Sequence, residues 1–190
     1  MTTTPDPFDL DFANYFSPQT TLPEPTRSDI ELEEIDDLGS IGAAALKDQG
    51  FYVRIVTARS PGSGNLPLNA TVLVVEDDIG TSKVIVKALE TYGYRPRTAH
   101  DRRGIVAALS EKPQPDLILL DVMLTDINGF DVLNRIRRHP AIASVPVIML
   151  TSLSEKADIA RGLSLGADAY LTKPILPSTL LDAVQAVLGG

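Results

Sequence analysis

Residues 71–75 and 117–120 are unbroken apolar runs, and 145–150 is nearly so, interrupted only by Pro146. Runs of this length suit strands buried on both faces. Residues 95–99 and 169–172 are shorter strand candidates. Between them, apolar positions recur at helical spacing over 82–92, 103–111, 130–138, 155–165 and 178–188. In the last of these, Leu180, Leu181, Val184, Val187 and Leu188 share one face, while Ser178, Asp182 and Gln185 share the other. Strand and helix alternating five times predicts an α/β fold, a doubly wound five-stranded parallel sheet covered by helices on both faces. In such sheets the functional residues gather beyond the carboxyl ends of the strands.

The pattern fails before residue 70. Residues 1–27 contain Pro5, Pro7, Pro18, Pro23 and Pro25 and little apolar periodicity, and read as a flexible, acidic, Pro-rich tail. Phe8, Leu10, Phe12, Tyr15 and Phe16 interrupt its polarity. Two readings of these aromatics stay open: a motif that folds on a partner, or a contact with the chain's own domain. From Ser28 the texture changes. Ser28-Asp29-Ile30-Glu31 has capping-box spacing, and Ile35, Leu38, Ile41, Ala45 and Leu46 form a rough apolar stripe weakened by Gly39 and Gly42. Gly50 can stop that helix, residues 51–57 have strand composition, and 60–65 read as a linker. This helix and strand are too small to fold alone. They are expected to lean on the main domain, on a second copy or on a partner. The organisation read from the sequence is therefore a tail over 1–27, a helix-strand extension and linker over 28–69, and a main domain over 70–190.

Composition narrows the classes. At 190 residues with 44% hydrophobic and 22% charged positions, the chain can bury one domain core. No run of 18 apolar residues is present, and Met1-Thr2-Thr3-Thr4-Pro5-Asp6 has neither a basic start nor an apolar stretch. With no Cys, thiol chemistry and Cys-bound zinc are excluded, and His100 and His139 lie too far apart in sequence to suggest a metal cluster. A cytoplasmic protein without membrane contact is expected. The net charge of −8 is uneven: residues 1–70 hold eleven acids against four bases, residues 71–190 fourteen against thirteen. Direct nucleic-acid binding is not expected from that balance. Arg102-Arg103 and Arg135-Arg137-Arg138 read as solvated helix faces.

The strand ends are chemically rich. The first runs into Glu76-Asp77-Asp78, the third into Asp121, the fourth into Thr151-Ser152 and the fifth into Lys173-Pro174. Three carboxylates meeting at one sheet edge repel one another unless a hard cation lies between them, and oxygen ligands with room for water suit Mg²⁺. A Lys and a hydroxyl converging there suit a transferable phosphoryl group. The implied chemistry is carboxylate attack on phosphorus, giving an acyl phosphate. Asp78 reads more simply as a helix N-cap.

Residues 74–78, 119–124, 147–152 and 166–174, with 44 positions from Asp77 to Asp121, 30 more to Thr151 and 52 from Asp121 to Lys173, resemble the receiver domain of two-component response regulators. The resemblance spans about residues 70–189 and leaves 1–69 unexplained. It implies a flavodoxin-like (βα)5 fold with a helix-strand N-terminal extension, and a protein that is not an enzyme beyond its own phosphotransfer and slow autodephosphorylation. It implies Asp121 as phosphoacceptor and Mg²⁺ held by Asp77, Asp121 and the Met123 backbone carbonyl, with Glu76 acting through water. Thr151 would bond the phosphoryl oxygen, Lys173 would pair with its charge, and Tyr170 would be the aromatic that turns inward as Thr151 moves. Gly129 would serve the loop after the acceptor, and the Lys173–Pro174 bond would be cis. Met123 and Leu153, two residues past the acceptor and the threonine, would tune the phosphoryl lifetime. Both are apolar and unable to hold an attacking water, so a slow loss is expected. Thr125 stands where the family often has Pro, which predicts a looser loop.

The implied partners are a sensor histidine kinase or histidine phosphotransfer protein and a protein output partner. Two routes to a homodimer are open: the N-terminal extension, notably strand 51–57, or the face of the domain's fourth helix, fifth strand and fifth helix. Because Gly189-Gly190 follow the last helix directly, no C-terminal DNA-binding domain is expected. A receiver fragment of a longer regulator or hybrid kinase is the alternative. A haloacid-dehalogenase-like phosphatase, also built on an aspartyl nucleophile, would need a second Asp where Met123 stands. A DNA-binding regulator with the leader as effector fits poorly with the leader's acidity.

Overall fold

Five of the expected strands pair in parallel, and the four of them that are covered on both faces are the most apolar. A computed structural model describes residues 12–17, 52–54, 69–152 and 156–189. Strands β2 (Thr71–Val75), β3 (Arg95–Ala99), β4 (Leu117–Asp121), β5 (Val147–Thr151) and β6 (Ala169–Thr172) form the parallel set, in spatial order β3-β2-β4-β5-β6. Every residue of β2, β4, β5 and β6 is buried. Edge strand β3 is more exposed, and its Arg95, Pro96 and Arg97 discourage further strand addition.

Alternate residues feed two cores. Leu73, Val75, Ile118, Leu120, Val147 and Met149 face one side, with helices α3 (Arg102–Ser110) and α4 (Gly129–Arg138); α5 (Lys156–Ser164) runs beside β6. Val72, Val74, Leu117, Leu119, Ile148 and Leu150 face the other, with α2 (Ile79–Thr91) and α6 (Pro177–Leu188). Helix α2 begins three residues earlier than its apolar pattern indicates, because Asp78 caps it by accepting from the Thr81 N–H at 2.7 Å.

The structure brings two pieces of the N-terminal region onto the domain. Phe12–Tyr15 form a single helical turn, α1, within the stretch read as a flexible tail. Phe12 and Phe16 are buried in the core that α3 and α4 line, and Phe12 stacks on His139 with ring centroids 4.4 Å apart. Burying each Phe contributes about 1.5–3 kcal/mol, enough to order a turn that has no helical stability of its own. Secondly, Tyr52–Arg54 form β1, which pairs antiparallel with β6 in the register Tyr52↔Leu171, Val53↔Tyr170, Arg54↔Ala169 and also lies beside α6. The sheet therefore has six strands. The strand expected to seek the domain or a second copy pairs within its own chain, and the β6 edge, part of the second homodimer route, is covered by β1. The helix expected over 28–50 lies outside the described residues.

The arginines of α4 are also not a solvated face. Arg135 is buried and its Nη1 donates to the Tyr15 carbonyl. Arg137 gives Nε to the Gly166 carbonyl at 2.7 Å, Nη1 to the Ala143 and Val145 carbonyls at 3.1 and 2.7 Å, and Nη2 to Asp168 at 2.7 Å. The same Asp168 oxygen accepts from the Val147 N–H at 2.8 Å. One guanidinium thus ties α4 to the starts of β5 and β6, and Gly166, at φ +89°, brings its carbonyl into reach in a conformation other residues rarely adopt. Arg137→Ala leaves these acceptors unpaired and is expected to cost about 3 kcal/mol in urea unfolding. Arg137→Lys, which cannot fork, should recover less than half of that loss.

Candidate functional site

Parallel strands with right-handed crossovers bring the carboxyl ends of β2, β4, β5 and β6 to one rim. Glu76 follows β2 and is fully buried at 0% exposure, with Asp77 next to it; Asp121 is the last, buried residue of β4. Each offers an oxygen within 4.8 Å of the others'. Thr151 ends β5 and is buried, next to Leu150, the residue in register with Asp121. Lys173 follows β6, its N–H donating to the Thr151 carbonyl at 2.7 Å, and the bond to Pro174 is cis as expected.

The Lys173 side chain reaches back over the rim. Its Nζ lies 2.7 Å from Asp121 Oδ2 and 2.7 Å from Glu76 Oε2. Burial pushes the Glu76 carboxyl above the ordinary glutamate range; the hydrogen bond from Lys173 opposes that rise, and the Asp121 charge adds to it. Burial alone would lower the Lys173 pKa, but its hydrogen bonds and charge attraction to Asp121 and Glu76 outweigh it and hold the ammonium above its usual range. The two carboxylates therefore hold the ammonium in its charged form. Asp78 stands apart as the α2 cap, its carboxyl held below the usual range by the Thr81 N–H.

The loop after Asp121 is built to a tight plan. Asp121 Oδ1 accepts from the Met123 N–H at 3.2 Å, Met123 bridges to Asn128, and Asn128 caps α4 by accepting from the Phe130 N–H at 2.9 Å. Gly129 donates to the Val122 carbonyl at 2.9 Å, and any Cβ there would collide with the Asp121 carbonyl. Only Gly allows α4 to start this close to the acceptor strand. Thr125, which stands where Pro is often found, makes a side-chain contact of its own in this loop. The Thr125 hydroxyl donates to Asp77 Oδ2, and Asp126 accepts from the Arg102 N–H at 2.9 Å while its carbonyl accepts from Arg102 Nη2 at 2.9 Å. These partners were missed because they join residues 48 and 24 positions apart. His100, whose Nδ1 lies 2.7 Å from the Glu76 carbonyl, was missed for the same reason.

Tyr170 lies inward at 1% exposure, packed so closely that a side chain on Gly162 of α5 would meet its ring. Met123 is 57% exposed and borders the site from the solvent side. Leu153 lies outside the described residues. The donor set fits a hard divalent cation: three carboxylates offering oxygens at close range, all-oxygen chemistry, and burial that makes their mutual repulsion costly. Among the described residues no helix is long and apolar enough to cross a membrane.

Comparison with known proteins agrees with this geometry. The family model of the response regulator receiver domain matches residues 72–185. The phosphate regulon transcriptional regulatory protein PhoB of Escherichia coli (strain K12) is 40% identical over 117 residues, covering 62% of this chain and 51% of PhoB. The DNA-binding dual master transcriptional regulator RpaA of Synechocystis is 42% identical over 118 residues, covering 62% of this chain and 48% of RpaA. The chain thus spans about half the length of these relatives, and their names give no support to the expectation that nucleic acid is not a partner. Among solved structures, a response regulator of Chloroflexus aurantiacus matches with TM-score 0.60 and 30% identity, covering 64% of this chain and 99% of that one. Chemotaxis protein CheY4 of Vibrio cholerae matches with TM-score 0.59 and 31% identity, covering 63% and 99%. With the family's fold and its acid-and-lysine rim both present, the chain belongs to the response regulator receiver domain family.

Proposed function

We propose that this receiver accepts a phosphoryl group on Asp121 in a Mg²⁺-dependent reaction and thereby switches a protein-interaction surface. The observation that supports this most directly is Lys173 Nζ placed 2.7 Å from Asp121 beside Glu76 and Asp77. Asp77, Asp121 and the Met123 carbonyl would hold the cation, with Glu76 behind them; when bound, the cation neutralises charge on the carboxylates and on the incoming phosphoryl oxygens. An Asp121 carboxylate oxygen attacks phosphorus, forming an O–P bond. The P–N bond to a phosphohistidine donor breaks, and its electron pair stays on the departing imidazole. Lys173 then pairs with the phosphoryl charge, and Thr151 donates a hydrogen bond to one of its oxygens. The Asp121–Lys173 ion pair is remade around a bulkier dianion, and the movement of Thr151 bears on buried Tyr170.

The donor in this reading is a sensor histidine kinase or a histidine phosphotransfer protein in the cytoplasm, and the protein turns over no external substrate. A second reading, the receiver part of a longer regulator or hybrid kinase, is favoured by the match to only half of PhoB and RpaA. A receiver domain of a Syntrophus aciditrophicus signal transduction histidine kinase, with TM-score 0.57 and 33% identity, favours it too. In that reading the output is carried by the rest of the polypeptide, DNA binding included.

Asp121→Asn keeps the shape and removes the nucleophile. Phosphate uptake from acetyl phosphate, followed by intact-protein mass spectrometry, should vanish in this variant and in wild type freed of Mg²⁺. Uptake by Asp121→Asn at the wild-type rate would refute the acceptor assignment. The Thr125 hydroxyl donates to one oxygen of Asp77, a carboxylate proposed to hold the cation, and that hydrogen bond has a net worth of about 1 kcal/mol. Thr125→Val is therefore expected to tighten Mg²⁺ binding about fivefold, read from Mg²⁺-dependent thermal stabilisation. For the lifetime, Met123→Asn combined with Leu153→Glu supplies polar groups able to orient an attacking water, and phosphoryl loss should speed up relative to wild type. Equal rates would show that these side chains do not set it.

A further inference from the structure

The α1 turn has the character of a bound ligand. It is four residues long, too short to be helical by itself. Phe12, Tyr15 and Phe16 stand at i, i+3 and i+4, the spacing by which a short helix presents one face to a groove. Phe16 is 0% exposed and Phe12 4%, and both join the core with Ile105 and Leu109 of α3 and Leu133 and Ile136 of α4. Arg135 Nη1 donates to the Tyr15 carbonyl at the carboxyl end of the turn, where an orphan acceptor and a partial negative charge favour a cation. In sequence, Asp9 and Asp11 precede the turn, and Arg102, Arg103, Arg135 and Arg138 belong to the two helices that receive it. In sequence, residues 18–51, with Pro18, Pro23 and Pro25, separate the turn from β1.

We propose that the groove between α3 and α4 is a recognition site for a short aromatic helix with an acidic flank, and that residues 12–17 are its releasable resident ligand. His139, at the end of α4, is the site's proton-sensitive wall. Phe12 stacks on it with planes 12° apart, and Tyr15 meets it edge-on at 4.9 Å and 88°. The imidazole is 2% exposed and its Nδ1 has no hydrogen-bond partner. The Tyr15 phenol of α1 meets its ring, Arg135 and Arg138 of its own helix act on that phenol, and Asp131 and Arg102 act in turn on Arg135. Among these described groups Asp131 is the one carboxylate, and it acts on Arg135 rather than on the imidazole. A proton on His139 would be a buried cation, and burial already pushes its pKa below the ordinary histidine value. Docking lowers the pKa, so the docked state binds fewer protons. Its stability is complete above the free-histidine value of about 6.5 and declines as pH falls below that toward the docked value.

The test uses the full chain, as wild type and as an open variant carrying Phe12→Ala and Phe16→Ala, with a fluorescent synthetic peptide of residues 9–17. The open variant should bind the peptide saturably. Wild type should bind at least about tenfold more weakly, because its tethered copy competes at an effective concentration of about a millimolar. Binding to the open variant should fall at least about threefold from pH 7.5 to 5.5. Only two histidines are present, so their ring resonances separate cleanly by NMR. His139 should titrate at higher pH in the open variant than in wild type, while an unmoved His100, which sits against the Glu76 carbonyl, shows that the acceptor side keeps its fold. No uptake by the open variant, equal uptake by the two chains, or a His139 titration unchanged by the substitutions would each overturn the proposal.

Discussion

The rim of the sheet depends on one ammonium group. Glu76 and Asp121 are buried carboxylates at the ends of adjacent strands, and two such charges in a low-dielectric edge would drive one to take up a proton. Lys173 opposes this by lying 2.7 Å from both, although burial still leaves the Glu76 carboxyl above its usual range. The position of β6, two places along from β4 with β5 between, sets that reach, and the Lys173 N–H bonded to the Thr151 carbonyl anchors its backbone to β5. The cost of assembling like charges is thus offset within the chain, and the same ammonium is placed where a phosphoryl group on Asp121 would lie. Architecture and chemistry meet in one side chain.

A second constraint connects this rim to the helices. Gly129 lets α4 begin against the Asp121 carbonyl, and Asn128 and Val122 hold it there. The other end of α4 carries Arg135, Arg137 and His139, each committed to a different neighbour: the α1 carbonyl, the β5 and β6 starts, and the Phe12 ring. A ten-residue helix thus spans from the acceptor loop to the aromatic groove. Because its contacts at both ends are hydrogen-bonded or stacked rather than loosely apolar, a shift at one end is resisted by specific partners at the other.

The elements legible in the sequence are those whose burial leaves a periodic trace. β2, β4 and β5 are mostly apolar because both faces are covered, and the rim residues are legible as the first polar positions at or just past the end of each run. Asp78 was legible as a cap because its partner is three residues away. What escaped has a common physical cause, in that the partner is remote in sequence. The pairing of Thr125 with Asp77 and of Arg102 with Asp126 leaves no local pattern, and Arg137 looks like any surface arginine until four acceptors converge on it. Phe12 and Phe16 were visible as out-of-place aromatics, yet a single turn is too short for periodicity to decide between a tail and a docked helix.

The extension changes what the β6 side of the sheet can do. In a five-stranded sheet β6 would be an edge, with one row of backbone donors and acceptors open to a partner. Here β1 pairs with Tyr170 and its neighbours in β6, while β5 with Thr151 lies on the other side. β6 is therefore an interior strand, bound by hydrogen bonds along both rows. Any displacement of Tyr170 or of the Lys173 backbone that follows it must be matched by β1 or break pairing with it. That makes residues 52–54 mechanically part of the rim through their backbone pairing. An N-terminal extension that joins the sheet beside the strand leading to Lys173 is thus a structural component of the receiver, and its loss would restore the edge that the rest of the fold leaves uncovered.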